Sequence, residues 1–158
     1  MKTAVDTNVL LDVLVGDDVA SAAASQSLAE ASRSGPLMIC PVVYAELAVA
    51  FERRDDLSAF LDDVSARAEQ FSEGALWLSA NAWRLYTRQR GRGVQCPHCG
   101  NQFEPQCPVC GKTVSWRQHI ISDFLIGGHA LDQADALLTR DRGYYQAYFP
   151  TLNLRTPA

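Results

Sequence analysis

Short apolar runs alternating with segments of helical period constrain this chain more than any other feature of it. "KTAVD" is a short apolar run ending in an acid and predicts a first strand. "TNVLLDVLVG" spaces its apolar residues as a helix does, with Thr7 or Asn8 placed to cap it and Gly16 to stop it. "VASAAASQSLAEASRSG" predicts a second, alanine-rich helix ended by Gly35, and "PLMIC" a second strand. "PVVYAELAVAFERR" opens with proline at the first helical position, where its missing N–H costs nothing. "LSAFLDDVSARAEQF" sets Leu57, Phe60, Leu61 and Val64 on one helical face. "GALWLS" predicts a weak strand, followed by the helix "ANAWRLYTRQR". The alternation breaks at "GRGV" and resumes with the helix "WRQHIISDFLIGGHAL", the strand "ADALLTRD" and a short helical turn "GYYQAYF" before the apolar "LNL". Strands alternating with helices imply a three-layer α/β/α fold around a mainly parallel central sheet.

A length of 158 residues suits one domain, 1–158, with a real hydrophobic core. No apolar run reaches membrane-spanning length, so no membrane partner is expected. In "MKTAVDTNVLLDVLV", Asp6 and Asp12 interrupt what would be the apolar segment of a signal peptide. The expected compartment is therefore the reducing cytoplasm, where clustered cysteines serve as metal ligands rather than disulfides. The net charge of −4 argues against a nucleic-acid partner until its distribution is considered. Between Arg84 and His119 stand six basic residues (Arg84, Arg88, Arg90, Arg92, Lys112, Arg117) and one acid, Glu104. This is the one basic stretch of the chain, and an anionic partner would meet it there. Scattered arginines on a solvated helix would look the same by charge alone.

Four acids stand out by position: Asp6 ends the first strand, Glu46 sits in an apolar helix, Asp123 opens a helix, and Asp141 ends a late strand. In an open α/β sheet, ligands bind beyond the carboxyl ends of the strands, which would bring Asp6 and Asp141 to one edge. A carboxylate on a buried helix face is costly unless a cation or hydrogen bonds neutralise it. Converging carboxylates suit Mg²⁺ or Mn²⁺, which prefer oxygen ligands. Each acid also has a plain structural reading: Asp6 and Asp123 as helix N-caps, Asp141 as the cap of the following turn, and Glu46 rotated to solvent.

The wording around these acids, "VDTNVLLDVL", "CPVVYAEL", "SDFLIGGHAL" and "LLTRDRGYY", resembles the motifs of the PIN-domain family, especially the VapC-type ribonuclease toxins. The resemblance covers roughly 1–93 and 116–154 and fails at the cysteine segment between them. It implies that Asp6, Glu46, Asp123 and Asp141 form a divalent-metal site that cleaves RNA phosphodiesters. Thr7, Asn8 and Thr139 stand as polar neighbours of that site, or as caps on backbone groups. It further implies a 5′-phosphate product, a cognate antitoxin partner and a homodimer.

The departure from the pattern is "CPHCGNQFEPQCPVCG", which holds four of the five cysteines. Cys96-x-x-Cys99 and Cys107-x-x-Cys110 each end in a glycine that lets the backbone turn tightly around a metal. They predict a zinc-ribbon-like insertion over 94–115, one Zn²⁺ held by Cys96, Cys99, Cys107 and Cys110 with no open position, hence structural. Cys40 reads as a buried small hydrophobe, His129 as a packed helix residue, and neither His98 nor His119 is needed as a ligand. Around the insertion, Arg88, Arg90, Arg92, Lys112, Trp116 and Arg117 are candidate RNA contacts, Trp116 by base stacking. The bland alternative is a staple holding a long insertion together, with Trp116 packed on its host. The competing functional reading is a non-catalytic RNA- or protein-binding module whose ribbon binds while the rest serves as scaffold. A phosphohydrolase using Asp6 as acceptor is weaker still, because Asn8 stands where many such enzymes have a second acid.

Overall fold

The computed structural model of the chain describes residues 1–89, 94–95, 102–113 and 121–157. Its elements are β1 (Thr3–Val5), α1 (Thr7–Val15), α2 (Asp18–Ser34), β2 (Leu37–Ile39), α3 (Pro41–Ala48), α4 (Arg54–Asp63), β3 (Ala66–Ala68) and α5 (Glu73–Gln89). There follow β4 (Val94–Gln95), β5 (Gln102–Phe103), α6 (Ile121–Gln133), β6 (Ala136–Leu138), α7 (Arg142–Tyr148) and β7 (Leu154–Arg155). β3-β2-β1-β6-β7 form one five-stranded sheet in which every pairing is parallel. Every side chain of β1, β2 and β6 is buried. Successive strand residues point to opposite faces, so both faces of the sheet are covered, as an α/β/α fold requires.

The order of the strands decides where a ligand can sit. From β1 the chain moves outward through β2 to β3, then returns to place β6 on the other side of β1. The reversal falls between β1 and β6, the topological switch point at whose carboxyl edge α/β proteins bind their ligands. The register sets Val5 opposite Leu138, so the next residues, Asp6 and Thr139, emerge side by side at that edge.

Two expectations about the middle of the chain are corrected. "GALWLS" is not a strand: α5 runs unbroken from Glu73, after Ser72, whose hydroxyl accepts the Ala75 N–H at 2.9 Å. The apolar run misleads because Leu76 and Trp77 point to solvent, while Ala75, Ser79, Ala82 and Tyr86, at helical spacing, face inward. The strand lies earlier, inside the segment expected to be helical. α4 ends at Asp63, Ser65 takes φ 57°, and Ala66–Ala68 pairs with β2.

α5 and α6 pack directly on each other, and Gly128 of "IGG" lies at their contact. A Cβ on Gly127 would run into the Phe149 ring, and one on Gly128 would lie 2.6 Å from the Ala75 carbonyl oxygen. Gly128 thus lets the α5 and α6 backbones approach at a distance no side chain permits, while Gly127 leaves room for the Phe149 ring. At the start of α6, Phe124 is fully buried among Trp83, Tyr86, Tyr144 and Tyr148, with ring centroids 5.1–5.5 Å away. Burial of such a ring contributes about 1.5–3 kcal/mol. It also locks α5, α6 and α7 together directly beside Asp123.

Candidate active site

Asp6 stands at the N-cap position of α1 but makes no capping hydrogen bond. Its carboxylate is instead buried, and three side chains donate to the same oxygen, Oδ2. The Thr139 hydroxyl donates at 2.6 Å, the Asn8 amide at 2.9 Å and the Tyr145 phenol at 3.2 Å. The Asn8 amide also donates to Thr139 Oγ1 at 3.2 Å, and its carbonyl oxygen accepts the Arg140 N–H at 3.2 Å. Thr139 Oγ1 accepts the Asp141 N–H at 3.0 Å. Asn8 thereby uses both amide hydrogens and its oxygen, which determines the orientation of its side chain. Outside this network, the Arg140 guanidinium pairs with Asp12 at 2.5 Å, fastening the β6–α7 loop to α1.

Burial pushes the Asp6 carboxyl above the usual carboxylate range. Hydrogen bonds from Thr139, Tyr145 and the Thr7 backbone pull it back, and the negative charge of Glu46 pushes it up again. Glu46 is half-buried on α3 and accepts the hydroxyl hydrogen of Thr7, the first residue of α1. Burial also holds the Tyr145 phenol well above its ordinary value, reinforced by the charges of Asp6 and Asp123. Tyr144 is raised by burial, then by Asp123 and Asp141. Asp6, Glu46, Asp123 and Asp141 thus act electrostatically on one neighbourhood at the switch point. Of the two phenols, that of Tyr145 donates to Asp6.

Asp123 lies half-buried in the first turn of α6. Asp141 is the N-cap of α7, its Oδ1 accepting the Tyr144 N–H at 3.1 Å. The capping interaction is therefore real for Asp141, and the carboxylate is anchored by it. Among the described residues no three His, Cys, Asp or Glu side chains close into a ready-made metal cage. The donors still fit Mg²⁺ or Mn²⁺, since a Mg²⁺ ion takes one or two carboxylates and keeps several waters for the substrate phosphate to replace.

The PIN domain family model matches residues 3–93 of the chain, more than half of its length. The chain is a member of the PIN-domain family. Members of this family are generally nucleases. In fold, the chain is similar to VapBC2 from Rickettsia felis, solved bound to a DNA fragment from their promoter. The TM-score is 0.61 at 15% identity, with 99% of this chain and 98% of that chain covered. No curated protein sequence matches.

In this PIN-domain chain, hydrogen bonds join Asp6, Asn8, Thr139 and Asp141 in one network and Thr7 to Glu46 in another, while the charge of Asp123 acts on Tyr144 and Tyr145. Tyr145 belongs to the first network and is missing from the sequence reading. No local pattern signals it, since its partner Asp6 lies 139 positions away. Of the expected zinc ligands, Cys107 and Cys110 are described and neither is in a disulfide. The Gly111 N–H bonds back to the Cys107 carbonyl and the Cys107 N–H to the Lys112 carbonyl, both at 2.9 Å. Gly111 sits at φ 69°, a conformation that favours glycine. Backbone N–H groups of Cys110 and Val109 pull the Cys107 thiol below its ordinary value. Cys96, Cys99, Arg90, Arg92, Trp116, Arg117, His98 and His119 lie outside the described residues. Arg88, in the last turn of α5, and Lys112 are exposed. Cys40 is buried at the end of β2, where burial pushes its thiol up. His129 is buried against Phe71.

Proposed function

We propose that the chain is a divalent-metal-dependent endoribonuclease and the toxin of a toxin–antitoxin pair. The observation that carries this reading is the buried Asp6 carboxylate at the switch point, raised by burial and by Glu46, with three donors gathered on one of its oxygens. Burial without a counter-charge destabilises a carboxylate, and Mg²⁺ or Mn²⁺ bound beside Asp6 would neutralise it.

In this reading Asp6, Glu46, Asp123 and Asp141 hold the ion. Thr7 orients Glu46, while Thr139 and Asn8 orient Asp6. An ion held there would supply Lewis-acid polarisation of the phosphate and a more acidic water for in-line attack. The carboxylates around it position that water, and the α7 cap keeps Asp141 at the rim of the site. Nothing in this scheme requires a histidine or lysine nucleophile, and His129 is packed away in the core.

Within the single domain 1–158 we assign residues 94–115 to an inserted zinc-binding segment. One structural Zn²⁺ would be held by Cys96, Cys99, Cys107 and Cys110. Support comes from the tight turn at Gly111 and from the Cys107 sulfur already receiving backbone N–H groups, an arrangement that favours a thiolate ligand. Arg88, Arg90, Arg92, Lys112, Trp116 and Arg117 would meet the RNA beside it. The proposed partners are RNA, an antitoxin and a second copy of the chain, acting in the cytoplasm. The fold shared with VapBC2 supports the antitoxin. Among the described residues no helix is long and apolar enough to cross a membrane.

The test is end-group analysis after incubation with Mn²⁺ and end-labelled single-stranded RNA or DNA of one sequence. RNA cut to 5′-phosphate products, with DNA intact, is the expected result. Intact RNA alongside demonstrable binding would favour the non-catalytic module.

A further inference from the structure

We infer that Tyr145 is a positioning residue for Asp6, and that with Thr139 and Asn8 it commits Oδ2 to the protein so that Oδ1 is the oxygen presented to the cation. This rests on the metal-dependent reading of the site. A carboxylate oxygen has about two lone-pair directions, and Oδ2 of Asp6 receives three side-chain donors, at 2.6, 2.9 and 3.2 Å. Oδ1 receives none of these three. The three donors come from different elements: Asn8 from α1, Thr139 from the end of β6 and Tyr145 from α7. Together they hold the carboxylate plane against rotation from three directions. Donors behind a ligating carboxylate set its orientation and tune its affinity, as outer-shell partners do at metal sites generally.

Tyr145 suits this role for reasons a core tyrosine would not share. Its ring is almost fully buried, beside Tyr144 at a centroid distance of 4.9 Å and Phe149 at 6.4 Å, so the hydroxyl has little freedom of direction. A buried phenol needs a polar partner, and this one has taken a carboxylate at the ligand-binding edge of the sheet. Phenylalanine at this position would fill the same space and leave Oδ2 with two donors.

The experiment is Mn²⁺ titration of the full-length chain by calorimetry, with free Mn²⁺ followed by electron paramagnetic resonance. It compares wild type, Tyr145→Phe, Asp6→Asn and, as a control from the same aromatic cluster, Tyr148→Phe. Far-UV circular dichroism verifies folding. The expected result is a roughly tenfold loss of Mn²⁺ affinity in Tyr145→Phe, none in Tyr148→Phe and no binding in Asp6→Asn. Unchanged affinity in Tyr145→Phe with binding abolished in Asp6→Asn would overturn the inference and leave the metal site standing. No binding by the wild type would overturn the reading beneath it. Should Tyr145→Phe fail to fold, Thr139→Val removes a second donor from the same oxygen. A loss there that Thr139→Ser restores supports the orientation of Asp6, and no loss overturns it.

Discussion

Gly128→Ala measures how far the site depends on the close approach of α5 and α6. The added methyl would lie 2.6 Å from the Ala75 carbonyl oxygen and 2.9 Å from Ser79 N, and would meet the Ser79 hydroxyl as well. The hydroxyl can rotate away, losing its 2.7 Å hydrogen bond to the Ala75 carbonyl. The carbonyl is helix backbone and cannot, so the helices must part by roughly half an ångström or more in an interior packed as densely as an organic crystal. Overpacking of this kind costs about 1–3 kcal/mol. Replacing glycine in a helix interior returns about 0.5–1 kcal/mol. The difference is a net loss of about 0–2.5 kcal/mol, centred near 1 kcal/mol, which lowers Tm by about 2–4 °C per kcal/mol for a chain of this size. Thermal and urea unfolding of the metal-free protein reads it out. A Ser79→Ala/Gly128→Ala double variant should recover only part, because the carbonyl clash persists. Gly143→Ala, where a Cβ meets nothing within 4 Å, is the control and should stabilise by about 0.4–1 kcal/mol. If Gly128→Ala proved as stable as Gly143→Ala, the packing argument would fail.

Two further predictions concern groups away from the proposed catalytic acids. Burial pushes the His129 imidazole below its ordinary value of 6.5; the charges of Glu69 and Asp132 oppose the shift, and that of Lys2 adds to it. The unfolded chain therefore takes up a proton that the folded one resists, so the contribution to stability is complete above about pH 6.5 and is lost as pH falls from there through the lower folded value. Urea midpoints measured from pH 7 to pH 5 should fall less in His129→Gln than in wild type, and equal slopes would count against the assignment. Elemental analysis of the purified protein should find one zinc per chain, reduced in Cys107→Ser; equal zinc content in the two would remove Cys107 from the ligand set.

The parts of this protein legible in its sequence are those written in local pattern. β1, α1, α2, β2 and β6 announce themselves through apolar runs, caps and glycine stops within a few residues of each other. β3 does not: Ala66–Ala68 is three residues long, two of them exposed, and is a strand because β2 pairs with it. The sequence divides α5 in two because an apolar run suggests burial, whereas Leu76 and Trp77 of "ALWL" face solvent. Asp6 and Asp141 stand out in the sequence because each sits at an element boundary, and Glu46 because it interrupts an apolar helix. Tyr145 does not, because its hydrogen bond to Asp6 spans 139 positions and depends on how α7 packs over the edge of the sheet.

The central claim is that Asp6, Glu46, Asp123 and Asp141 form a metal-dependent ribonuclease site. The most direct measurement is cleavage of total RNA by wild type and Asp123→Asn, each with Mg²⁺ or Mn²⁺ and each with EDTA. The account predicts cleavage by wild type with either ion, none with EDTA, and a loss of at least about a hundredfold in Asp123→Asn, as when a positioned acid–base or metal-holding group is removed. Undiminished cleavage by Asp123→Asn, or cleavage that survives EDTA, would contradict it.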